Sequence, residues 1–581
     1  MIVLPPCDVV VVGLGAAGGL SATLLADAGL SVVGLEAGPR HGPGEFAPDE
    51  ISHESRNVLG DAKANHEIPT VRSSPAEQAV PATGTRGLLM MNGVDGSKVH
   101  STNVSWRLSP WNFVSLSAVR RRYGAGAVPP GSTLVDWPLD YTELAPYYDE
   151  VEARYGISGQ AGNIAGRPQP GGNPYEGPRS GPYPLPPLRQ TGYSRMMGEA
   201  AHGLGWSPFP TPASIRSQPY AGRGACVYCG SCTWNGCRYG AKALPTLHGL
   251  DDAERGGALT VRTGARVTRV LTDEDEAVRG VEFIENATAY RQPARAVVLA
   301  TYTYENVRLL LLSASPAFPR GLANNAGNVG RHFMTHSFPM TLGVFPGRDL
   351  KRWGGTAAQS AAVTEFDADH IDHSGLGFIG GSVLMTPAEN KAIFNALWTP
   401  PSVPRWGSAW KRWLHENAHS IGWVWTLPDV LPYEQNVLDL DPVARDRDGV
   451  PRIRSTYRYF DNEVRQTRFL LDRAAEWLTA AGAAETWHLP TGPTPVSTHA
   501  YGGTRMGDDP GTSVVDRWGE AHEVPGLVVL GASTFPTSGG VNPTETVEAL
   551  AVRSTRHLIG RLNRTRPERC PAPPGEASPA S

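Results

Sequence analysis

Residues 8–36 read DVVVVGLGAAGGLSATLLADAGLSVVGLE, and this stretch decides the fold. The β-branched run at 8–12 is typical of a strand buried in a parallel sheet, and it leads directly into a glycine-rich turn. A helical pattern follows, and then a second strand that ends at Glu36, 21 residues after Gly15. A strand, a glycine turn, a helix, a strand and a terminal acid in this order predict a βαβ unit at the start of the chain.

The glycine spacing of this unit is that of a dinucleotide-binding fingerprint. Gly13 permits a tight turn, Gly15 lets a pyrophosphate approach the backbone, and Gly18 lets the helix pack closely against the strand. The helix N-terminus then faces the phosphates, while Glu36 accepts hydrogen bonds from the ribose hydroxyls. The sequence therefore predicts a site for FAD or NAD, and the Glu-Ala-Gly that ends the second strand favours FAD.

Length and composition set the limits of the prediction. A chain of 581 residues is too long for one simple core, so two or more domains are expected. The net charge is −4 with no Lys/Arg block, which argues against a nucleic-acid partner. No apolar run reaches the roughly 18 residues that cross a bilayer, so no membrane partner is expected. The N-terminus lacks the basic region of a signal peptide, which favours a cytoplasmic location.

Composition also divides the chain. The long polar stretch at 40–86 is a possible lid, and the Pro/Ser/Ala-rich tail at 566–581 is expected to be disordered. Alternating apolar and polar residues at 259–284 predict antiparallel strands, and residues 294–301 predict a buried strand with a helix after it.

Tryptophans are concentrated in the region from about 336 to 490. Seven of them lie within 73 residues, at positions 353, 398, 406, 410, 413, 423 and 425. Aromatic faces are good platforms for sugar rings and apolar ligands. The helical spacing of Trp406, Trp410 and Trp413 favours packing instead, so only a minority of the seven are expected to touch a substrate.

Four cysteines fall within twelve positions in the stretch ACVYCGSCTWNGC, at Cys226, Cys229, Cys232 and Cys237. Their spacing resembles the start of a ferredoxin ligand run, but the usual fourth Cys-Pro is absent. Zinc would need two separated pairs, and disulfides are disfavoured in the cytoplasm. Reduced packing thiols are therefore favoured and no metal site is predicted, with an iron–sulfur cluster left as an alternative.

The C-terminal stretch at 497–554 carries a resemblance. It reads STHAYGGTRMGDDPGTSVVDRWGEAHEVPGLVVLGASTFPTSGGVNPTETVEALAVRS and resembles the signature end of the glucose–methanol–choline oxidoreductases, with a His before a Gly-Thr-Arg-Met-Gly turn. The stretches SWRLSPWNF, ATYTYENVRLLLLS and NVGRHFMTH are similar to the branch that contains pyranose oxidase, C-glycoside 3-oxidase and the gluconate dehydrogenase large subunit.

This resemblance implies an α/β fold class with two domains. A discontinuous, Rossmann-like FAD-binding domain is expected from residues 1–110, 205–335 and 490–565. An α+β substrate-binding domain on an antiparallel sheet is expected from 336–489, and residues 111–204 form a connector.

The resemblance also implies the site residues. His499 is expected to be the base that takes the proton of a substrate hydroxyl, with Asn542 bonded to the same hydroxyl. His100 occupies the position at which pyranose oxidase bonds covalently to its flavin, but Asp95 and Ser101 replace a usual Gly and Trp, so non-covalent FAD is favoured. The full set of expected cofactor contacts is Gly13, Gly15, Ala16, Ala17, Gly18, Glu36, Ala37, Gly96, Ser97, His100, Thr102, Asn103, Val267, Ala300, Gly531, Ala532, Asn542, Pro543 and Thr544.

The function implied is oxidation of a ring hydroxyl, at C2 or C3 of a pyranose sugar or glycoside, by hydride transfer to flavin N5. Oxygen or a quinone-type acceptor then reoxidises the FAD. The alternatives are the flavin subunit of a gluconate- or sorbitol-type dehydrogenase complex that feeds a cytochrome through an iron–sulfur cluster, an oxidase of a sterol or choline, and a non-catalytic flavoprotein. A small partner subunit or a homo-oligomer is also possible.

Overall fold

The computed structural model describes residues 1–52, 59, 68–82, 91–389, 391–491 and 497–564. The predicted disordered tail at 566–581 lies outside these residues, and so do residues 53–58, 60–67 and 83–86 of the predicted lid at 40–86.

The helices and strands of the described residues are numbered here in chain order. The α-helices are α1 (Ala16–Asp27), α2 (Pro110–Phe113), α3 (Ser115–Tyr123), α4 (Tyr141–Tyr155), α5 (Gly192–Gly203), α6 (Leu250–Arg255), α7 (Thr303–Leu312), α8 (Ala392–Leu397), α9 (Gly407–Asn417), α10 (Asp461–Ala480) and α11 (Thr544–Arg564). The strands are β1 (Ile2–Val3), β2 (Cys7–Val12), β3 (Val32–Glu36), β4 (Thr70–Arg72), β5 (Val80–Pro81), β6 (Asn163–Ile164), β7 (Arg167–Pro168), β8 (Phe209–Pro210), β9 (Leu259–Thr263), β10 (Arg266–Thr272), β11 (Val278–Glu285), β12 (Thr288–Leu299), β13 (Met334–Thr335), β14 (Met340–Val344), β15 (Ala361–Val363), β16 (Leu384–Met385), β17 (Ile421–Thr426), β18 (Val437–Arg445), β19 (Pro451–Thr456), β20 (Glu485–His488), β21 (Ala500–Tyr501) and β22 (Leu527–Val529).

The first sheet has β2 at its centre. Its strand order is β10-β11-β12-β2-β3-β9, and β1 and β22 also pair with β12. Strands β2, β3, β9 and β22 all run parallel to their neighbours. The four valines of β2 are almost completely buried, because both faces of a parallel sheet are covered. Helices α1 and α11 contribute to the core against one of these faces.

The turn between β2 and α1 allows very close packing. A Cβ atom added to Gly18 would lie 1.8 Å from the carbonyl oxygen of Gly13. Gly13 itself has a φ of +84°, and a Cβ there would lie 2.7 Å from the carbonyl oxygen of Ala300 on the neighbouring strand end. Only glycine is compatible with both the contact and the positive φ at this turn.

One prediction of strand direction is partly wrong. Strands β10 and β11 are antiparallel, with Val270 opposite Val281. Strand β9, at the start of the same predicted segment of 259–284, instead pairs in parallel with β3. An alternating pattern reports which side chains are buried and carries no information on strand direction. The predicted buried strand and helix at 294–313 are present as the end of β12 and as α7.

The second sheet is antiparallel, with strand order β20-β14-β17-β16-β15-β8. Helices α5 and α10 pack on one of its faces, where Val424 meets Leu470, Ala474 and Trp477. A mainly parallel sheet with helices and a separate antiparallel sheet confirm the predicted fold class. The domain boundaries stay a prediction, and β8 reaches the second sheet from within the range 205–335 that was assigned to the FAD-binding domain.

No helix in the described part of the chain combines the length and the apolar composition that a membrane span requires.

Candidate active site

A cavity of about 550 Å³ lies where the carboxyl ends of β2 and β3 meet side chains of the second sheet. Every expected cofactor contact except Gly18 lines this cavity, and so does His499. Gly18 lies beside the cavity, in the contact between α1 and β2. The structure therefore brings residues from position 13 to position 544 into one site.

The phosphate end of the cavity is formed by backbone. Helix α1 begins after Gly15, and no side chain caps its N-terminus. A Cβ atom on Gly96 would lie 2.9 Å from the Cα atom of Gly15, so this approach excludes any side chain at Gly96. Uncapped N–H groups at a helix N-terminus bind anions, which suits the pyrophosphate of a dinucleotide.

Glu36 is held rigidly at the end of β3. One carboxylate oxygen accepts a hydrogen bond from the backbone N–H of Leu14 and the other from that of Gly38, each at 2.9 Å. Burial raises the pKa of Glu36, and these N–H donors oppose that rise. Each carboxylate oxygen keeps a second lone pair, so Glu36 can still accept from the hydroxyls of a ribose in the cavity.

His100 faces the same cavity with a neutral ring. Burial lowers its pKa to about 4. Neither ring nitrogen has a hydrogen-bond partner among the described residues, and the ring stacks on Trp234 at 5.9 Å between centroids. Buried nitrogens without partners in a ligand cavity indicate that a bound group meets them there.

The cysteine stretch contributes to this wall through its neighbours. Thr233 and Trp234 line the cavity, whereas none of the four cysteines does. The buried ammonium of Lys242 ties the stretch to the segment that carries His100. Its Nζ atom lies 2.6–3.1 Å from four backbone carbonyl oxygens, those of Val99, Ser101, Cys232 and Asn235, which share its three hydrogens.

The cysteines do not fit a metal cluster. All four are free thiols. The Sγ atoms of Cys226 and Cys237 accept from backbone N–H groups. Across the described ranges, no group of three His, Cys, Asp or Glu side chains is arranged to hold a metal ion. A cluster needs thiolates that converge on it, so the described geometry gives the iron–sulfur alternative no support.

His499 is positioned by a short β-ladder. Strand β21 pairs with β13, with Ala500 opposite Thr335, so the flanking residues His499 and His336 come side by side. Their Nδ1 atoms are 3.2 Å apart. On the other side of the ring, the Nε2 atom of His499 is 3.3 Å from the amide nitrogen of Asn542.

Hydrogen bonding assigns the tautomer of both rings. The Nε2 atom of His336 is 2.8 Å from the carbonyl oxygen of Gly539, and a carbonyl can only accept, so this nitrogen carries the hydrogen. Burial lowers the pKa of His336 to about 4, so its ring is neutral and its Nδ1 atom is an acceptor. The hydroxyl of Tyr501 lies 3.4 Å from this acceptor, on which it competes with His499. The shorter contact, 3.2 Å between the two Nδ1 atoms, is a hydrogen bond only if the Nδ1 atom of His499 is the donor, and this assignment leaves the Nε2 atom of His499 unprotonated.

His499 is among the residues that line the cavity. Burial lowers the pKa of His499 well below 6.5, and the neighbouring His336 adds to this effect. Beside its Nε2 atom, the side-chain oxygen of Asn542 has no hydrogen-bond partner among the described residues. An unprotonated ring nitrogen next to a polar amide can take a proton from a bound hydroxyl and orient that hydroxyl.

A buried carboxylate fixes the loop that leads to Asn542. One oxygen of Asp429 accepts from the hydroxyl of Ser538 at 2.6 Å and from the backbone N–H of Gly539 at 3.0 Å. Burial raises the pKa of Asp429 to about 7. The same loop thereby supplies the carbonyl oxygen that sets the tautomer of His336.

Sequence reasoning missed two of these residues as parts of the site. His336 lies in NVGRHFMTH, a stretch that was used only for its resemblance, and 163 residues separate it from His499. No motif or spacing in the sequence pointed to Asp429. A β-ladder between distant segments made these contacts, and no local spacing reports it.

The seven tryptophans divide clearly. Trp398, Trp423 and Trp425 line the cavity, whereas the other four do not. The expectation that Trp406 packs was wrong, because this side chain is 82% exposed. It precedes α9 and lies outside the helical face that its spacing suggested.

Comparison with known proteins agrees with this geometry. The family model described as "GMC oxidoreductase" matches residues 432–551. The chain is 32% identical to the gluconate 2-dehydrogenase flavoprotein of Pantoea cypripedii, over 96% of this chain and 94% of that protein. It is also 32% identical to the 2-methyl-1,2-propanediol dehydrogenase of Mycolicibacterium austroafricanum, over 99% and 98% of the two chains.

A solved structure shares the fold. The pyridoxine 4-oxidase of Mesorbium loti superposes with a TM-score of 0.62 at 19% identity, over 95% of this chain and 99% of that one. Together with the full-length relatives, these matches show that the chain belongs to the GMC oxidoreductase family, whose members bind FAD and oxidise alcohol hydroxyls.

Proposed function

We propose that this protein oxidises a secondary hydroxyl at C2 or C3 of a pyranose sugar or glycoside to the keto sugar, with oxygen or a quinone-type acceptor taking the electrons. The observation that carries the proposal is the position of His499 between His336 and Asn542, in the same cavity as the dinucleotide fingerprint, with its Nε2 atom assigned as unprotonated. The gluconate dehydrogenase relative supports a sugar substrate.

The residues of the cavity fit FAD. The uncapped N-terminus of α1 beside Gly96 would hold the pyrophosphate, and Glu36 would hold the ribose. The segment from His100 to Asn103 would contact the flavin ring. Bound FAD supplies an acceptor for the hydride that leaves the carbinol carbon.

The protein's own residues manage the proton. The Nε2 atom of His499 takes the hydroxyl proton, and this transfer raises the electron density on oxygen that drives hydride loss. The Nδ1–H bond to His336 keeps the ring of His499 oriented while its charge changes. Asn542 cannot be the base, since an amide takes up no proton near neutral pH, so it orients the hydroxyl and stabilises the developing charge on oxygen.

Specific observations bear on two other functions. The dehydrogenase subunit that feeds a cytochrome through a cluster is not favoured, because the four cysteines do not fit a cluster. A small alkanediol is the second candidate substrate, since the propanediol dehydrogenase relative is as similar as the gluconate one. Cytoplasmic location, the absence of a nucleic-acid partner and a possible partner subunit or homo-oligomer stay predictions.

The first prediction concerns the base. His499→Ala should retain FAD yet slow the reduction of flavin by substrate about 10²–10⁴-fold, the usual contribution of a general base. Asn542→Ala should cost about 10–10³-fold, as expected for the loss of one polar contact to the transition state. Anaerobic stopped-flow absorbance with a panel of sugars, glycosides and 1,2-diols measures both. His415→Ala, an exposed histidine outside the cavity, is the control and should reduce at the parent rate. A His499→Ala enzyme that holds its flavin and reduces within about threefold of the parent would refute the mechanism.

The second prediction concerns pH. The pKa of His499 is lowered, so the neutral base persists as the pH falls through 6.5 and is lost only as the pH approaches the lowered pKa. The limiting rate of flavin reduction should therefore stay flat from pH 8 to below 6.5, the ordinary value for a histidine. Below pH 6.5 the side chain of His499 binds a proton in the unfolded chain but not yet in the folded chain, so the stability of the fold decreases as the pH decreases. Flavin retention must therefore be checked at each pH. A single inflection centred near pH 6.5 would contradict the assignment.

The third prediction concerns how FAD is held. We expect non-covalent binding, so acid precipitation of the purified protein should release the flavin into the supernatant. Absorbance of the supernatant and the pellet measures the partition. Yellow colour that stays with the pellet, and that is lost in His100→Ala, would show a covalent bond at His100 instead.

A further inference from the structure

A continuous row of aromatic rings leads away from His499 along the cavity. We call it the aromatic wall, and its members in order are Phe338, Trp425, Trp423, Trp398 and Phe394. Centroids of successive rings are 5.1 Å apart from His499 to the first member, and then 5.8, 6.0, 5.5 and 4.5 Å. Each step is a normal contact distance for aromatic side chains, so the wall is one unbroken surface.

The second sheet determines where the wall lies. Trp423 and Trp425 are two residues apart on β17, and side chains at this spacing point to the same face of a strand. Val424 between them packs in the core with α10 on the opposite face. The aromatic wall therefore lies on the face of the second sheet opposite α10.

Two hydrogen-bond donors of the wall lack partners. The indole N–H groups of Trp423 and Trp425 are buried and bond to nothing among the described residues, although the side chains are only 6% and 8% exposed. Other indoles of this region are paired, such as Trp410 with the carbonyl of Ala396 and Trp487 with that of Trp398. Buried donors without partners are costly, so unpaired donors in a ligand cavity indicate an oxygen atom of the ligand.

Charge behind the wall selects against a cation. The guanidinium of Arg352 lies 5.7 Å from the ring of Trp423 and is itself buried, bonded to the backbone carbonyls of Pro387, Ala388 and Ile421. An aromatic face binds cations through its negative potential, and a fixed positive charge against the same ring opposes this. A flat, uncharged group with an oxygen atom is the ligand that the wall fits.

We propose that the aromatic wall is a subsite for a flat, uncharged aglycone, so that the natural substrate is a glycoside with an aromatic group rather than a free monosaccharide. The inference rests on the proposed function, because it places the sugar ring at His499 and the aglycone on Trp423, Trp425 and Trp398. The two indole N–H groups donate to oxygen substituents of the aglycone.

The test compares aglycones at constant sugar. Anaerobic stopped-flow gives the apparent Kd and the limiting reduction rate for methyl, phenyl and 4-hydroxyphenyl glucosides of both anomeric configurations. The parent should prefer phenyl over methyl by about 10–10²-fold in the ratio of rate to Kd, the scale on which an apolar pocket discriminates. Trp398→Ala should reduce this preference to within about threefold, mainly by raising the Kd of phenyl glucoside.

Matched variants separate the ring from its N–H group. Trp423→Phe combined with Trp425→Phe keeps two rings and removes both donors, so it should lose the preference for 4-hydroxyphenyl over phenyl glucoside while it keeps that for phenyl over methyl. Trp406→Ala removes an exposed tryptophan that lies outside the cavity and should change neither preference.

A binding measurement needs no turnover. Calorimetric titration of the His499→Ala protein with methyl and phenyl glucosides gives Kd directly, and phenyl glucoside should bind at least about tenfold more tightly. Equal affinity for the two, or a preference that survives Trp398→Ala, would overturn the subsite while methyl glucoside oxidation upholds the proposed function. Failure of every sugar and glycoside to reduce the parent flavin would overturn the proposed function, and the glycoside assignment with it.

Discussion

The active site depends on one contact, between the Nδ1 atoms of two neutral histidines, His336 and His499. Only one of these nitrogens can carry a hydrogen, and the carbonyl oxygen of Gly539 decides which, because it takes the Nε2–H bond of His336. The unprotonated nitrogen of His499 is therefore turned towards Asn542 by a chain of three hydrogen bonds. The β13–β21 ladder brings His336 beside His499, and the loop held by Asp429 supplies the carbonyl group of Gly539, so both elements are needed for this series of hydrogen bonds.

Burial adjusts the same nitrogen in two opposing ways. It lowers the pKa of His499, so the ring is unprotonated at rest and available to accept a proton. A lowered pKa also makes the ring a weaker base, since the ideal catalytic pKa lies near the working pH. Two contacts offset this weakness. The hydrogen bond to His336 stabilises the ring of His499 as it gains positive charge, and the amide of Asn542 stabilises the substrate oxygen as it gains negative charge. A neutral partner such as His336 orients the base without adding a negative charge beside the departing hydride.

The sequence predicted the parts of the molecule that local patterns encode. The glycine turn, α1 and Glu36 follow from one continuous segment, and the resemblance located His499 and Asn542 in another. Contacts between distant segments could not be predicted from local patterns. His336 meets His499 only through a ladder of two short strands, and β9 pairs in parallel with β3 although its pattern suggested an antiparallel strand. The cysteine spacing resembled a cluster motif, but backbone conformation and Lys242 direct this stretch to present Trp234 to the cavity instead.

The protonation state of His499 tests the account most directly. Nitrogen-15 NMR of the holoprotein labelled at its histidines, with His499 identified by the loss of its signals in His499→Ala, reports both ring nitrogens at neutral pH. The account predicts a protonated Nδ1 and an unprotonated Nε2, and a mixture of tautomers in His336→Phe, which removes the acceptor for Nδ1–H and keeps an aromatic ring. A ring protonated at both nitrogens, or one with its hydrogen on Nε2, would contradict it.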